Sequence, residues 1–156
     1  MEKLKKVTGT WHGTYAYESS ELTAKRQPVS FTLILKQAWF GRFTGSVTEQ
    51  DPAPGVSGSG AIEGYFSSPR IEFRKRMPVC FVALPDGRNI SLREYLIAQG
   101  HTCERDVPGP PFFYQGEFSG PRRAQGTWII HAQPIPLGDG RAIPMAETKG
   151  TWSIEI

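Results

Sequence analysis

The histidines of this chain are the side chains best suited to hold a metal or a haem, but their positions favour neither. His12 follows Trp11, and His131 lies three residues after Trp128, so on extended strands both histidines point away from the tryptophan face. Only a bulge in its strand would turn His131 inward as a haem ligand. No pair of histidines or cysteines has metal-ligand spacing. We therefore predict no metal and no cofactor.

Nucleophile and carboxylate chemistry has little more support in the sequence. No serine or cysteine lies in a nucleophile motif, and Glu147 and Glu155 fall near a turn and a strand end. Cys80 and Cys103 flank a predicted helix, which leaves three interpretations open: two small buried apolar residues, a disulfide, or a reactive thiol. We predict no catalytic residues, and an enzyme is less favoured than a binding protein.

The elements that must position any functional side chain are strands that repeat one pattern: glycine, any residue, aromatic. Side chains on a strand alternate faces, so the glycine and the aromatic residue share a face, and a ring from the next strand can cover the glycine. Recurrence of this pattern from the first strand to the last indicates one antiparallel sheet that curls and closes. The seven copies begin at Gly9, Gly13, Gly41, Gly64, Gly116, Gly126 and Gly150.

Alternating apolar runs separated by turn residues predict eight main strands in a single domain spanning residues 1–156. We expect an all-β fold, an eight-stranded antiparallel up-and-down barrel in which the last strand pairs with the first. Glycine and proline are both frequent, at 17 and 13 residues, which also favours short strands joined by turns.

The strand rhythm breaks between about residues 77 and 111, between the fifth and sixth strands. There Ser91-Leu92-Arg93-Glu94 predicts a capping box, followed by a short helix that stops at Gly100. The apolar stripe of this helix is expected to cover a barrel mouth, to pack on the outer wall, or to contact a second subunit. As a lid, it would use Leu92, Tyr95 and Leu96.

A barrel of eight strands is either filled by its own side chains or holds one small ligand. Large inward residues favour a filled lumen, whereas inward glycines favour free space, and the sequence leaves both open. Among the polar groups, Tyr15, Tyr17 and Tyr114 are expected to orient a ligand. The glycines are Gly13, Gly45, Gly64 and Gly116. The predicted lumen lining is Tyr15, Phe31, Phe43, Phe66, Phe73, Tyr114, Phe118 and Trp128.

Several short motifs resemble the calycin barrels, which include lipocalins, fatty-acid-binding proteins and avidins. Gly9-Thr10-Trp11 opens the first strand, Phe43-Thr44-Gly45-Ser46-Val47 resembles the third avidin strand, and Gly126-Thr127-Trp128-Ile129-Ile130 the seventh. The resemblance implies a barrel that binds a small molecule. It does not extend to biotin, because Gly13 and Val47 stand where avidins carry polar residues that hold the ureido group.

Charge and hydropathy limit the partners. The net charge of +3 is small and dispersed, so no nucleic-acid partner is expected. The basic run Arg70–Arg76 lies on a strand that also carries Ile71 and Phe73, and we interpret the run as a solvated outer face. No apolar run has the length of a membrane span or a signal peptide, so we predict a cytoplasmic protein without a membrane partner.

These observations predict a non-enzymatic barrel that encloses a small, mostly apolar ligand beneath the insertion or the loop of residues 50–60. The alternative is a filled structural barrel that associates with another protein or with itself, using outward Ile34, Tyr65 and Ile129. An isomerase-type enzyme is the third hypothesis. An enclosed cavity would favour the first, a filled lumen with an apolar outer patch the second, and a buried ionisable group with a shifted pKa the third.

Overall fold

The computed structural model describes residues 6–18, 27–50, 57–84, 86, 89–137 and 140–156. Eight strands build a barrel: β1 (Gly9–Tyr17), β2 (Val29–Gln37), β3 (Arg42–Gln50), β4 (Ser57–Ser67), β5 (Arg70–Arg76), β8 (Phe112–Gly120), β9 (Arg123–Ile130) and β12 (Thr148–Glu155). The other elements are β6 (Phe81–Ala83), β7 (Asn89–Ser91), helix α1 (Leu92–Ala98), β10 (Gln133–Pro136), β11 (Ala142–Met145) and a short 3-10 helix (Trp39–Gly41) in the turn between β2 and β3.

The barrel is closed and antiparallel, with the strand order β1-β12-β9-β8-β5-β4-β3-β2. The last strand pairs with the first, and Tyr15 lies opposite Trp152 in that pairing. Closure leaves the barrel sheet without an unpaired edge. The predicted all-β class, the eight barrel strands and the pairing of the first and last strands are confirmed.

Two local features differ from the sequence-based expectation. Strand β4 begins at Ser57, so residues 57–60 belong to a strand and not to the expected loop; residues 51–56 lie outside the described residues. The hairpin of β10 and β11 was not predicted. Its strands contain Pro134, Pro136 and Pro144, and proline is uncommon within strands because it cannot donate to the ladder.

Aromatic rings cover glycines of neighbouring strands, as the repeated pattern predicts. A Cβ at Gly64 would lie 2.5 Å from Cζ of Phe43, and one at Gly13 would lie 3.0 Å from Cζ of Phe31. The space beside these two glycines is therefore occupied by neighbouring side chains, which corrects the expectation that they make room for a ligand. The two other inward glycines are crowded by neighbouring backbone, namely Gly45 and Gly116.

The two ends of the barrel have different connections. At the lower end, tight turns join β2 to β3, β4 to β5, and β8 to β9. At the upper end, the insertion of residues 77–111 joins β5 to β8, and the β10–β11 hairpin lies between β9 and β12. The long connections that can enclose a site therefore all emerge at the upper end.

Helix α1 forms as the sequence predicts. The Ser91 hydroxyl accepts a hydrogen bond from the Glu94 amide at 3.1 Å, which is the expected cap. Beyond the helix, Gly100 adopts a φ of +87°, a conformation that favours glycine and ends the helix. In the described part of the chain, no helix has the length and apolar character needed to cross a membrane.

A second apolar cluster lies at the upper end, separate from the barrel core. Met145 packs against both cores and so connects them. Of the residues predicted as a lid, Leu92 and Leu96 are buried in this cluster, whereas Tyr95 is 38% exposed. Their action as a lid over a ligand stays a prediction. The buried members of the upper cluster are Cys80, Leu92, Leu96, Val107 and Ile135.

Candidate functional site

All eight aromatic residues predicted to line the lumen are buried in the barrel core. Strand positions divide them between the two halves of the barrel, and Phe73 lies between the halves. Contact of these residues with a ligand stays a prediction. Those in the upper half are Tyr15, Phe31, Tyr114 and Trp128, and those in the lower half are Phe43, Phe66 and Phe118.

The lower half of the lumen is filled by aromatic rings that touch one another. The ring centroids of Trp11 and Phe118 are 6.1 Å apart, and those of Phe118 and Phe66 are 6.4 Å apart. Phe43 continues the series, at 6.4 Å from Phe66 and 6.3 Å from Phe73. Such separations are typical of favourable aromatic contacts. Rings of the upper half also touch one another, and the ring centroids of Phe112 and Trp128 there are 5.4 Å apart. We place the candidate site in the upper half because two largely buried charged side chains lie there.

Two charged side chains meet inside the upper half of the barrel. Glu49, near the end of β3, accepts a hydrogen bond from the Lys75 ammonium on β5, and the two form an ion pair. The Lys75 side chain is 2% exposed and that of Glu49 is 12% exposed. The second Glu49 oxygen accepts a hydrogen bond from the Tyr15 hydroxyl at 3.0 Å. Within the described residues, no buried side-chain nitrogen or oxygen lacks a hydrogen-bond partner.

Three aromatic rings lie close to the Lys75 ammonium. Its Nζ lies 3.9 Å from the ring centroid of Phe112 and 4.2 Å from that of Tyr15. The ring of Tyr114 is 5.4 Å away. Cations within about 6 Å of a ring centroid are attracted by the ring face. The Lys75 charge is therefore compensated by one carboxylate and three rings, and the ion pair as a whole is neutral.

Burial changes the proton affinity of this site. Desolvation lowers the pKa of Lys75 below its ordinary value, and the nearby Glu49 carboxylate acts in the opposite direction. Desolvation also raises the pKa of Tyr15 and of Tyr114 well above the ordinary tyrosine value, and Tyr17 and Glu49 add to this effect. The site thus combines an amine that loses its proton more readily than in water with phenols that keep theirs.

Neither charged member of the site was among the residues predicted from the sequence, although the strand alternation contained the signal. The alternation along β5 that places Ile71 inside the barrel also places Lys75 inside. On β3, the alternation that places Val47 inside does the same for Glu49. The interpretation of Arg70–Arg76 as a solvated outer face is therefore wrong for Lys75. It is right for the three arginines of the run, which lie on the outer face.

The histidines and cysteines take no part in the site. His12 and His131 are exposed on the outer surface. Among the described residues, no three histidine, cysteine or acidic side chains are grouped so that they could hold a metal. Both thiols are free, which excludes the disulfide interpretation. Cys80 is buried, and burial raises the pKa of its thiol, as expected for a small apolar core residue; Cys103 is partly buried.

A second conspicuous feature lies on the outer surface at the lower end. The turn between β2 and β3 presents Trp39, which is 83% exposed, and Phe40, which is 90% exposed. Phe40 has a φ of +55°, a left-handed backbone conformation that is costly for a bulky residue. Beside this turn runs an outer groove of about 810 Å³, whose lining includes Tyr65, Phe113 and Ile129. Two exposed rings thus lie beside a partly apolar groove.

Comparison of the chain with protein families, with curated proteins and with solved structures gives no match. The class of the protein therefore follows from its own fold, a closed eight-stranded antiparallel β-barrel. What distinguishes this barrel is the ion pair between Glu49 and Lys75 inside its upper half.

Proposed function

We propose that the protein is a calycin-type binding barrel that holds a small, mostly apolar, uncharged molecule in the upper half of its lumen. The observation that carries the proposal is the Lys75–Glu49 pair, joined by the Tyr15 hydroxyl and surrounded by aromatic rings. Specific small-molecule sites combine apolar walls with a few converging polar groups. Both are present in the upper half of the lumen.

A buried ion pair supports a functional role because it contributes little to stability. The cost of removing two charges from water offsets most of their attraction, and apolar side chains of similar volume are often at least as stabilising. A barrel that only needed a filled core would have no requirement for Lys75 and Glu49 at this place. Ionisable groups with shifted pKa values are concentrated at functional sites, and they are also the feature expected of the third hypothesis, an isomerase-type enzyme, so the pair supports a functional site of either kind.

The neutrality of the pair defines the charge of the ligand. Lys75 and Glu49 already compensate each other, so a charged ligand would bring an unpaired charge into a poorly solvated space, which is costly. An uncharged molecule with one hydrogen-bonding group avoids this cost. Its apolar part would lie against Phe112 and Tyr114, and the upper cluster would enclose it.

Native mass spectrometry of the freshly purified protein, before and after denaturation, is the first test. We expect a mass excess that disappears on denaturation. Titration with Nile red, an uncharged apolar dye, then tests where binding occurs. Phe112→Leu, in the upper half, should weaken dye binding several-fold, whereas the matched variant Phe66→Leu, in the lower half, should leave it unchanged. An unmodified native mass together with no saturable dye binding would overturn the proposal.

Self-association is a second candidate function, favoured by the exposed Trp39 and Phe40. We infer that the partner is a second copy of the chain, because the turn that carries both rings lies beside the outer groove of the same molecule. In a two-fold dimer, each copy can insert its turn into the groove of the other. Ile34 and Tyr65, which are 58% and 44% exposed, would extend this interface.

Sedimentation analysis of the full chain tests self-association. The wild-type protein should form dimers, and the double variant Trp39→Ser with Phe40→Ser should be monomeric. Ile97→Ser on α1 is the matched control, since Ile97 is 49% exposed but lies at the upper end. A wild-type protein that stays monomeric at high concentration would exclude this function.

A further inference from the structure

Three groups of the upper site are arranged as an amine, a proton acceptor and a holder of that acceptor. Lys75 supplies the amine, and Glu49 contacts it directly. The Tyr15 hydroxyl donates to the second oxygen of Glu49 at 3.0 Å and holds the carboxylate in place. The rings of Phe112 and Tyr114 lie against the amine, and the Lys75 side chain is 2% exposed. Such a desolvated amine beside a carboxylate is suited to attack a carbonyl carbon.

We propose that Lys75 binds an aldehyde or ketone covalently, as an imine, so that the ligand class of this barrel is a neutral, mostly apolar carbonyl compound. This inference rests on the proposed function, since the carbonyl compound would occupy the upper half of the lumen. It goes further by naming the reactive atom, Nζ of Lys75, and the functional group that it recognises.

The reaction requires no oxidant, reductant or further reactant. Glu49 takes a proton from the Lys75 ammonium, and the lone pair of the neutral amine forms a C–N bond while the carbonyl π electrons move to oxygen. A proton moves from nitrogen to that oxygen, which gives a carbinolamine. Glu49 then returns its proton to the hydroxyl group, which leaves as water. The product is a protonated imine paired with the Glu49 carboxylate, so the site is neutral before and after the reaction.

The surroundings of Lys75 differ from those of the other described lysines. Lys6, Lys36 and Lys149 are exposed, and the ammonium of a hydrated lysine is a poor nucleophile because it is protonated. An imine on an exposed lysine is also open to hydrolysis by water. At Lys75 the aromatic rings and the 2% exposure of the side chain limit water access. Lys75 is therefore the lysine expected to retain a carbonyl ligand.

Reductive trapping on the full chain tests the inference. The protein is incubated with benzaldehyde and sodium cyanoborohydride, and labelled peptides are identified by mass spectrometry. We expect Lys75 to be labelled several-fold faster than Lys36 or Lys149, because the lowered pKa of Lys75 and its contact with Glu49 raise the fraction of neutral amine. The variant Lys75→Arg keeps the positive charge beside Glu49 but cannot react, so it should lose the fast labelling phase alone.

Nile red binding separates failure of this inference from failure of the proposed function. Saturable dye binding with labelling confined to exposed lysines would overturn the imine and leave the binding barrel in place. Absence of both dye binding and labelling at Lys75 would overturn both. Fast labelling of Lys75 by benzaldehyde, with no labelling when benzyl alcohol replaces it, would support the inference. Benzyl alcohol lacks a carbonyl group and cannot form an imine. Circular dichroism of Lys75→Arg shows whether the variant is folded, so that a loss of labelling is not mistaken for unfolding.

Discussion

The ammonium of Lys75 and the carboxylate of Glu49 meet inside the barrel, although strand β4 lies between the two strands that carry them. The contact forms because the sheet curves and both side chains lie on its inner face. The attraction between the two charges offsets the free-energy cost of removing each of them from water. Removal of either partner alone leaves a buried charge without compensation, whereas removal of both does not.

The first prediction concerns this mutual dependence. Glu49→Leu should lower the free energy of unfolding by about 3–5 kcal/mol, because it leaves the Lys75 ammonium buried and unpaired. Combining it with Lys75→Met should restore most of the loss. Urea denaturation at neutral pH measures both effects.

A surface pair supplies the control for that comparison. Glu63 binds Arg74 at 2.8 Å, but its side chain is 69% exposed. Glu63→Leu should therefore cost no more than about 1 kcal/mol. An equally small effect of Glu49→Leu would show that the Glu49 pair is accessible to water in solution.

The second prediction concerns alkaline pH. Burial raises the pKa of Tyr15 and Tyr114 well above the ordinary value of 10.0. Above pH 10.0 the folded chain keeps protons that the unfolded chain releases. The stability that these tyrosines contribute is therefore complete below pH 10.0 and declines as the pH rises above it. The decline should reach about 1.4 kcal/mol per pH unit for each tyrosine. Urea denaturation as a function of pH measures this slope.

Lys75 also makes stability depend on pH, in a neighbouring pH range and with the opposite sign. Its folded pKa is lowered from 10.5, so between the folded value and 10.5 the unfolded chain binds more protons and stability rises with pH. Tyr114→Phe should reduce the decline at high pH. Identical pH profiles of stability for the wild type and Tyr114→Phe would contradict the conclusion that burial raises the pKa of Tyr114.

The third prediction concerns the ring that crosses β12. Trp128 on β9 donates its indole N–H to the Ala16 carbonyl on β1 at 3.1 Å, and Gly150 on β12 lies beneath the ring. A Cβ at Gly150 would overlap the Ala16 oxygen and lie 2.7 Å from the indole nitrogen. Gly150→Ala should lower the free energy of unfolding by about 1–3 kcal/mol, because the Trp128 ring or the backbone must move. Thermal denaturation monitored by tryptophan fluorescence measures the loss.

The matched variant for this third prediction is Gly120→Ala at the lower end. A Cβ at Gly120 would meet no atom within 4 Å. Its effect should be small, and equal destabilisation by the two substitutions would argue against ring cover as the reason for Gly150.

The fourth prediction concerns the independence of the upper cluster. Leu96 is 5% exposed in that cluster, and Leu96→Ala should cost about 2–5 kcal/mol of local stability. Because the cluster is separate from the barrel core, amide hydrogen exchange should accelerate in α1 and in β6 and β7, but not in β3 and β4. Ile97→Ala, at a residue that is 49% exposed, is the control. Equal acceleration throughout the barrel would show that the two cores unfold as one unit.

Much of the fold was predictable because local patterns carry it. Period-two alternation places residues such as Trp11 and Phe43 inside, and the repeated glycine–aromatic pattern indicates a sheet that closes. The capping box at Ser91 and Glu94 predicts the helix, because a cap requires only a few consecutive residues. The β10–β11 hairpin was missed, because proline weakens the strand signal.

The sequence by itself determined the eight-stranded barrel and the inward direction of its aromatic rings, since alternation and turn residues act between close neighbours in the chain. It also contained the inward direction of Lys75 and Glu49, but not their contact. Only the tertiary structure brings these two residues together, because their distance depends on the curvature of the sheet and on the register of β3, β4 and β5. The same holds for the filling of the lower half of the lumen, since packing depends on which rings of distant strands meet.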